Sequence, residues 1–411
     1  MSIYRSMVFI CLMLATTAAT AISEESSWPQ FRGTSEHERH PEDNADIPLS
    51  FNVTAGQEQN VAWQADLPGR GPSSPIVSGG RVFVTASGGR EQSELHTFAF
   101  DAVTGAQLWQ RTLYATGRTL THSTSANAAP TPATDGEFLV AFYSSNDVIC
   151  YDLDGNLKWY RGLGLDYPKV GNDIGMAASP LIVGDTVTIQ AESQGDSFAL
   201  GLDLKSGKNK WKIARERQGN WTSPALYRDE SGVQLALLQS GDVVTAVDPE
   251  SGAEKWRLDA ECDRIPSPLA VGKRVFIASE GISAFKIEDD SPELLWQSGK
   301  LSPGSPTPVF HDGKIYVIKR NGIVNCANAD DGKILWKLRL GTDSQWATPV
   351  IAGNHMVCVG TKGKVAIVDI VNEKEIANPE LGETITASPA VADNAIYIRS
   401  DAHLWKFATD Q

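Results

Sequence analysis

Tryptophan returns through this chain at a spacing that a single compact domain with one core has no reason to keep: Trp63, Trp109, Trp159, Trp211, Trp256, Trp296 and Trp336 follow one another at intervals of 40 to 52 residues. A second marker keeps step with the first, a small residue and a proline opening an apolar stretch. It reads SSPIV at Pro75, AAPTP at Pro130, SPLIV at Pro180, SPALY at Pro224, SPLAV at Pro268, TPVFH at Pro308, TPVIA at Pro349 and SPAVA at Pro389. These are eight units. A repeat of this length is one supersecondary element that cannot bury its apolar face alone and must stack on its neighbours.

Within a unit the residues alternate between short apolar runs and Gly/Asp/Asn turns. The first unit shows SPIV, the turn SGG, RVFVTA, a loop, LHTFAFD, the turn VTG and AQLWQ. Runs of this length without helical periodicity specify four antiparallel strands. Proline opens the innermost strand, where no ladder hydrogen bond is lost. The last unit, SPAVADNAIYIRSDAHLWKF, supplies only three strands, and the missing one is present at the front as NVAWQADL. The fold class is therefore all-β, an eight-bladed β-propeller of four-stranded antiparallel blades whose N-terminal strand closes the last blade and removes its open edge.

The front of the chain carries a different signal. Arg5 precedes an apolar run from Met7 to Leu14, followed by small residues ending Ala19-Thr20-Ala21. This is the order of a cleavable secretory signal, with the mature chain soluble in the periplasm or outside the cell. The domain division is then 1–21 signal, 22–50 N-terminal extension and 51–411 a single propeller, with no transmembrane segment and a monomer expected. Asp and Glu number 50 against 36 Lys and Arg, a formal charge of −14 that becomes −15 without Arg5. An acidic surface of that size repels phosphate backbones, so nucleic acid is excluded as a partner. Cys150, Cys262, Cys326 and Cys358 form neither a CxxC nor an adjacent pair and are expected to pack in the core, and scattered histidines indicate no metal site.

DAVTGAQLW ending at Trp109, DLKSGKNKW at Trp211 and DPESGAEKW at Trp256 resemble the tryptophan-docking motif of the pyrroloquinoline-quinone-like propeller repeat, Asp-x-x-Thr/Ser-Gly-x-x-x-Trp. That repeat is shared by quinoprotein dehydrogenases and BamB-type scaffolds. The resemblance implies that Gly105, Gly207 and Gly252 make tight turns and that all seven periodic indoles are structural, each filling the wedge between blades. Blade five departs with EDDSPELLW and blade seven has Ala377 in place of the indole. The segment WPQFRG around Trp28 is similar to the start of many exported members and is expected to pack against the ring.

Loop lengths place the candidate site. From docking position to the next marker proline six connections span 12 or 13 residues, whereas Trp109 to Pro130 and Trp159 to Pro180 each span 21. With SGGREQSE at Ser87 and ESQGDS at Glu192, blades one to three carry a raised rim, where function tends to sit on a rigid scaffold. Residues just before the prolines are expected at the channel mouth: Arg70, His122, Asn127, Asn172, Asp173, Gln218, Asn220, Trp221, Asp263, Arg264, Gln345, Trp346 and Thr384. Mixed polar and aromatic lining of this kind suits a ligand pocket. Catalytic residues are not identifiable from the sequence. The resemblance leaves two functions, a non-catalytic scaffold holding a protein, peptide or polysaccharide on the rim of blades one to three, and a dehydrogenase using pyrroloquinoline quinone (PQQ) with calcium at the channel mouth. No cofactor is expected on the first reading. The second is weakened because there is no adjacent Cys-Cys pair to cover the quinone and no haem domain.

Overall fold

The computed structural model describes residues 27–34, 45–171, 173–229 and 231–409. The secretory signal expected over 1–21 lies outside them, as does Asn172. Eight four-stranded antiparallel sheets make up the fold. Blade one comprises Ile76–Ser78, Arg81–Gly88, Glu94–Asp101 and Gln107–Tyr114. Blades two to seven follow in chain order over 133–162, 181–214, 225–259, 269–298, 309–339 and 350–377. Blade eight joins Ala390–Ala392, Ala395–Arg399 and His403–Phe407 to the chain's first strand, Val61–Asp66, which pairs antiparallel with His403–Phe407. The ring therefore closes by a non-covalent latch, and Phe51 stacks on Phe407 beside it at 3.9 Å. Among the described residues no helix is long and apolar enough to cross a membrane.

The outer strand of every blade carries a register shift directly before the docking position, including before Ala377. An extra residue there bends the strand and re-aims the next side chain towards the neighbouring blade. Five indoles use this aim in the same way, donating Nε1–H to a backbone carbonyl of the following blade. Trp63 reaches Ala102 at 3.2 Å, Trp109 Leu153 at 2.9 Å, Trp159 Leu204 at 2.8 Å, Trp211 Pro249 at 2.8 Å and Trp296 Ala329 at 3.0 Å. Each covers the turn glycine of that blade so closely that a methyl group on Gly105, Gly155, Gly207, Gly252 or Gly332 would fall within 2.7 Å of the ring.

The exceptions follow from the sequence. Blade five turns on Asp289 and Asp290, both with positive φ, in a two-residue hairpin between Glu288 and Ser291. It offers no docking glycine, and among the described residues the buried Nε1–H of Trp256 has no partner. Ala377 stands where the following blade is the latch itself and has no turn between its third and fourth strands. It packs instead against the cluster that contains Phe51, Trp63 and Phe407. Cys150, Cys262, Cys326 and Cys358 are unpaired and buried.

Candidate functional site

Each blade brings a Ser or Thr to the channel immediately before its first strand: Ser74, Thr131, Ser179, Ser223, Ser267, Thr307, Thr348 and Ser388. Thr131 shows that the blade-two counterpart of the other marker prolines is Pro132 rather than Pro130. Backbone N–H groups link these residues from blade to blade. Ser74 donates to Thr131 Oγ1 at 2.9 Å, Thr131 to Ser179 Oγ at 3.0 Å, Ser179 to Ser223 Oγ at 2.9 Å and Ser223 to Ser267 Oγ at 3.0 Å. Ser267 donates to Thr307 Oγ1 at 3.0 Å, Thr307 to Thr348 Oγ1 at 3.1 Å and Thr348 to Ser388 Oγ at 2.9 Å. Proline next in sequence donates nothing, so in seven of the eight units the last N–H before the strand is satisfied by the neighbouring blade, from Ser74 round to Ser388. This crown of hydroxyls is the belt that holds the inner strands together.

Below the crown the extension enters the channel. Trp28 forms a two-way backbone bridge with Val77 at 2.8 and 2.9 Å, Pro29 O accepts from Thr134 N–H at 2.9 Å, and an Arg32 Nη donates to Pro268 O at 3.0 Å on the far side. The segment WPQFRG thus spans the bore from blade one to blade five and plugs it, with Phe31 facing the crown. The result is a blind cup of about 320 Å³ with Phe31 in its lining, the eight hydroxyls round its wall, and His122, Ile174, Trp221, Ile265 and Trp346 towards its mouth. Both indoles are fixed: Trp221 donates Nε1–H to Gly175 O at 2.8 Å, and the guanidinium of Arg320 lies 4.4 Å from the Trp346 ring centroid.

A side chamber of about 270 Å³ adjoins the cup between blades eight and one, and Pro72, Thr124, Ser125, Trp346 and Thr386 line both. Its charged groups are Arg70, Asp401 and Arg399. Asp401 is committed to Arg70, 3.0 Å away, and to the Gly71 N–H at 3.1 Å. Arg399 is wholly buried and among the described residues donates only to neutral oxygens, Ser400 O at 3.0 Å, Ser73 Oγ at 3.1 Å and Thr85 O at 2.5 Å, while its second terminal nitrogen has no partner there. Burial lowers its pKa to about 10, with the charge of Asp401 opposing, so it stays cationic at neutral pH.

The raised rim is knit rather than loose. Asp147, fully buried, accepts hydrogen bonds from Thr116 N–H and Oγ–H, Ser145 Oγ–H and Tyr160 O–H, anchoring the connection that follows Trp109. His122 N–H donates to Ile174 O at 2.9 Å and joins the two long connections. Yet the rim displays apolar side chains: Leu120, Leu165 and Ile174 are 56, 68 and 44% exposed.

Of the residues expected at the channel mouth, the structure brings His122, Trp221 and Trp346 to the cup and Arg70 and Thr384 to the side chamber. Three others are buried supports. Asn127 clamps Gln92 and the Ser145 N–H, Asn220 donates to Gln239 O at 2.7 Å, and Gln345 donates to Thr342 Oγ1 at 2.6 Å. Asp173 pairs at the surface with Arg118 at 3.2 Å, and Gln218 is exposed. Asp263 and Arg264 lie away from both chambers, Arg264 against Gly241 and Asp263 with its pKa raised by burial. The crown, Phe31 and Arg399 are the functional candidates the sequence reading did not select. The crown had a visible signal, a Ser or Thr before the proline in all eight units.

Fold and cup together define a closed propeller of pyrroloquinoline-quinone-like repeats. The chain belongs to the family described as outer membrane protein assembly factor BamB, whose model matches residues 56–230 and 239–411. The BamB of Yersinia pestis is 23% identical over 324 residues, covering 74% of this chain and 75% of that one. Among solved structures, BamB from Moraxella catarrhalis superposes with a TM-score of 0.62 at 18% identity, over 84% of this chain and 96% of that one. A europium-containing methanol dehydrogenase superposes with a TM-score of 0.68 at 12% identity, over 94% and 98%, a likeness of fold alone.

Proposed function

We propose that this protein is an exported, non-catalytic scaffold that holds a protein partner on the raised rim of blades one to three and serves outer-membrane protein assembly. One observation carries the reading. The two long connections are fixed, the first by hydrogen bonds to the buried Asp147 and the two to each other by the His122–Ile174 backbone bond, yet they spend that rigidity on presenting Leu120, Leu165 and Ile174 to solvent. A preordered apolar rim is what a docking surface needs, because little conformational entropy is lost on binding. The names of the relatives point the same way. The Arg5 to Ala21 pattern supports export.

The dehydrogenase reading fits the residues less well. PQQ carries three carboxylates and is held with calcium, which asks for several cations and a cluster of oxygen ligands. The two chambers offer one excess positive charge and one carboxylate, Asp401, already engaged by Arg70. Among the described residues no three His, Cys, Asp or Glu side chains gather as metal ligands.

The test is complementation. In cells lacking this chain, the amount of folded outer-membrane β-barrel protein is measured after supplying the native sequence or Leu120→Glu/Leu165→Glu. Rescue by the first and not by the second, at equal levels of folded scaffold, supports the proposal. Equal rescue by both removes the rim from it, and a melting-temperature rise with PQQ plus calcium favours the enzyme.

A further inference from the structure

The cup and its side chamber are not needed for a partner held on the outer rim, and their chemistry is specific. Seven of the eight crown hydroxyls accept a backbone hydrogen bond, all but that of Ser74, and among the described residues none of the eight O–H groups donates to the protein. Seven of the eight residues are buried, so these donors converge on the cup rather than on open solvent. They require acceptors that the protein does not supply.

The adjoining chamber asks for the same kind of ligand on independent grounds. Asp401 is bound to Arg70 and acts on Arg399 only through space, so two guanidiniums and one carboxylate leave one positive charge in excess in the chamber wall. A buried guanidinium without a bonded carboxylate is costly in the absence of an anion, and in a chain of net charge −14 its retention needs a reason. A directly bonded Asp or Glu would satisfy it at the expense of ligand binding; here neutral Ser73, Thr85 and Ser400 oxygens position the group and, among the described residues, leave one nitrogen unpartnered.

Beside the crown and polar residues such as His122, Thr124, Ser125 and Thr386, the lining is apolar, with Phe31, Ile174, Trp221, Ile265 and Trp346 round a volume suited to one aromatic or branched aliphatic group. Trp346 borders both chambers. We propose that the plugged channel is a binding site for an apolar molecule bearing a single carboxylate, its body between the Trp221 and Trp346 indoles above Phe31 and its carboxylate directed to Arg399. The carboxylate belongs either to a small organic acid or to the C-terminus of a peptide ending in an apolar residue. Burial of the body supplies affinity, and the charge-assisted hydrogen bonds supply selectivity for the ionised end.

Binding of 3-phenylpropionate to the full chain is measured by calorimetry beside 3-phenylpropionamide, which has the same body without the charge. A tripeptide ending in phenylalanine is compared with its C-terminal amide in the same way. In each pair the acid is expected to bind at least about tenfold more tightly, the worth of one charge-assisted contact. Whichever acid binds better identifies the source. Arg399→Met is expected to bring acid and amide to equality. Should that variant fail to fold, Trp346→Ala serves in its place and is expected to weaken both acids about tenfold or more through loss of the shared wall. Equal affinity of acid and amide in the native protein, or no binding of any of the four probes at millimolar concentration, overturns the proposal.

Discussion

The indole N–H of Trp63 donates to the carbonyl of Ala102 at 3.2 Å, so the first strand of the chain is tied at once to the last blade through its ladder and to the first blade through its side chain. The latch is thereby a three-way joint. Its weakening opens the ring at one place instead of loosening one blade.

Trp63→Ala removes a buried indole from that joint and is expected to lower unfolding stability by about 3–5 kcal/mol, the usual cost of emptying such a site. Urea denaturation followed by fluorescence and by far-UV circular dichroism measures it. A loss below about 1 kcal/mol would mean the first strand adds little to closure.

Docking hydrogen bonds differ between blades in a way that mutation resolves. Trp109 donates to Leu153 O at 2.9 Å whereas the Trp256 N–H is buried without a partner. Replacement of either by phenylalanine loses similar volume. Trp109→Phe forfeits a hydrogen bond and strands a carbonyl, so it should cost about 1 kcal/mol more than Trp256→Phe.

Glycine at the docking turns is required twice over. Gly105 has φ +72° and an added methyl would stand 2.6 Å from Trp63, while Gly136 has φ +95° and open space around it. Gly136→Ala should cost about 1 kcal/mol from backbone strain alone, and Gly105→Ala clearly more because the indole must also move. Equal midpoints in urea would contradict the docking geometry.

Stability is expected to fall on mild acidification through one identifiable histidine. Burial holds His96 below its ordinary 6.5, with Glu94 partly opposing. The unfolded chain therefore binds a proton that the folded one resists, so the contribution is intact above pH 6.5 and is lost as pH falls below it. Comparison of urea midpoints at pH 7.5 and 5.5 should show a smaller drop for His96→Gln than for the native chain.

The four core thiols should be inert in the native protein. Burial pushes Cys150 and Cys262 up to about 12 and Cys326 to about 11, and raises Cys358 well above the usual thiol range. A thiol reagent at pH 8 is expected to leave these four untouched until denaturant is added. Rapid native labelling at any of them would show local opening of its blade.

Architecture was legible in the sequence because a repeat states its own solution many times over. Eight openings of a small residue and proline, seven periodic indoles and NVAWQADL standing ahead of a three-stranded last unit suffice to count the blades and place the latch. Even the irregular units could be read locally: EDDSPELLW foretells the altered turn, and the structure adds that its consequence falls on the preceding blade, on Trp256.

The site was legible only in part, since loop position does not say which way a side chain points. Asn220 and Gln345 directly precede Trp221 and Trp346, yet Asn220, like Asn127, turns inward to hold a backbone carbonyl and Gln345 turns to the Thr342 hydroxyl, whereas the indoles turn to the cup. Arg399 ends an ordinary strand, Ala395–Arg399, and its proximity to Ser73 and Thr85 arises only when blade eight meets blade one. The plug is of the same kind. WPQFRG carries no periodicity, and its course from Val77 to Pro268 is set by the width of a bore that exists only after the ring has closed. Local pattern determined the strands, turns and blade number, since each depends on residues near one another in sequence, and closure followed by counting a spare strand at the front against a three-stranded last unit. The cup, its plug and its buried charge depend on contacts between blades distant in sequence, and closure of the ring decided them.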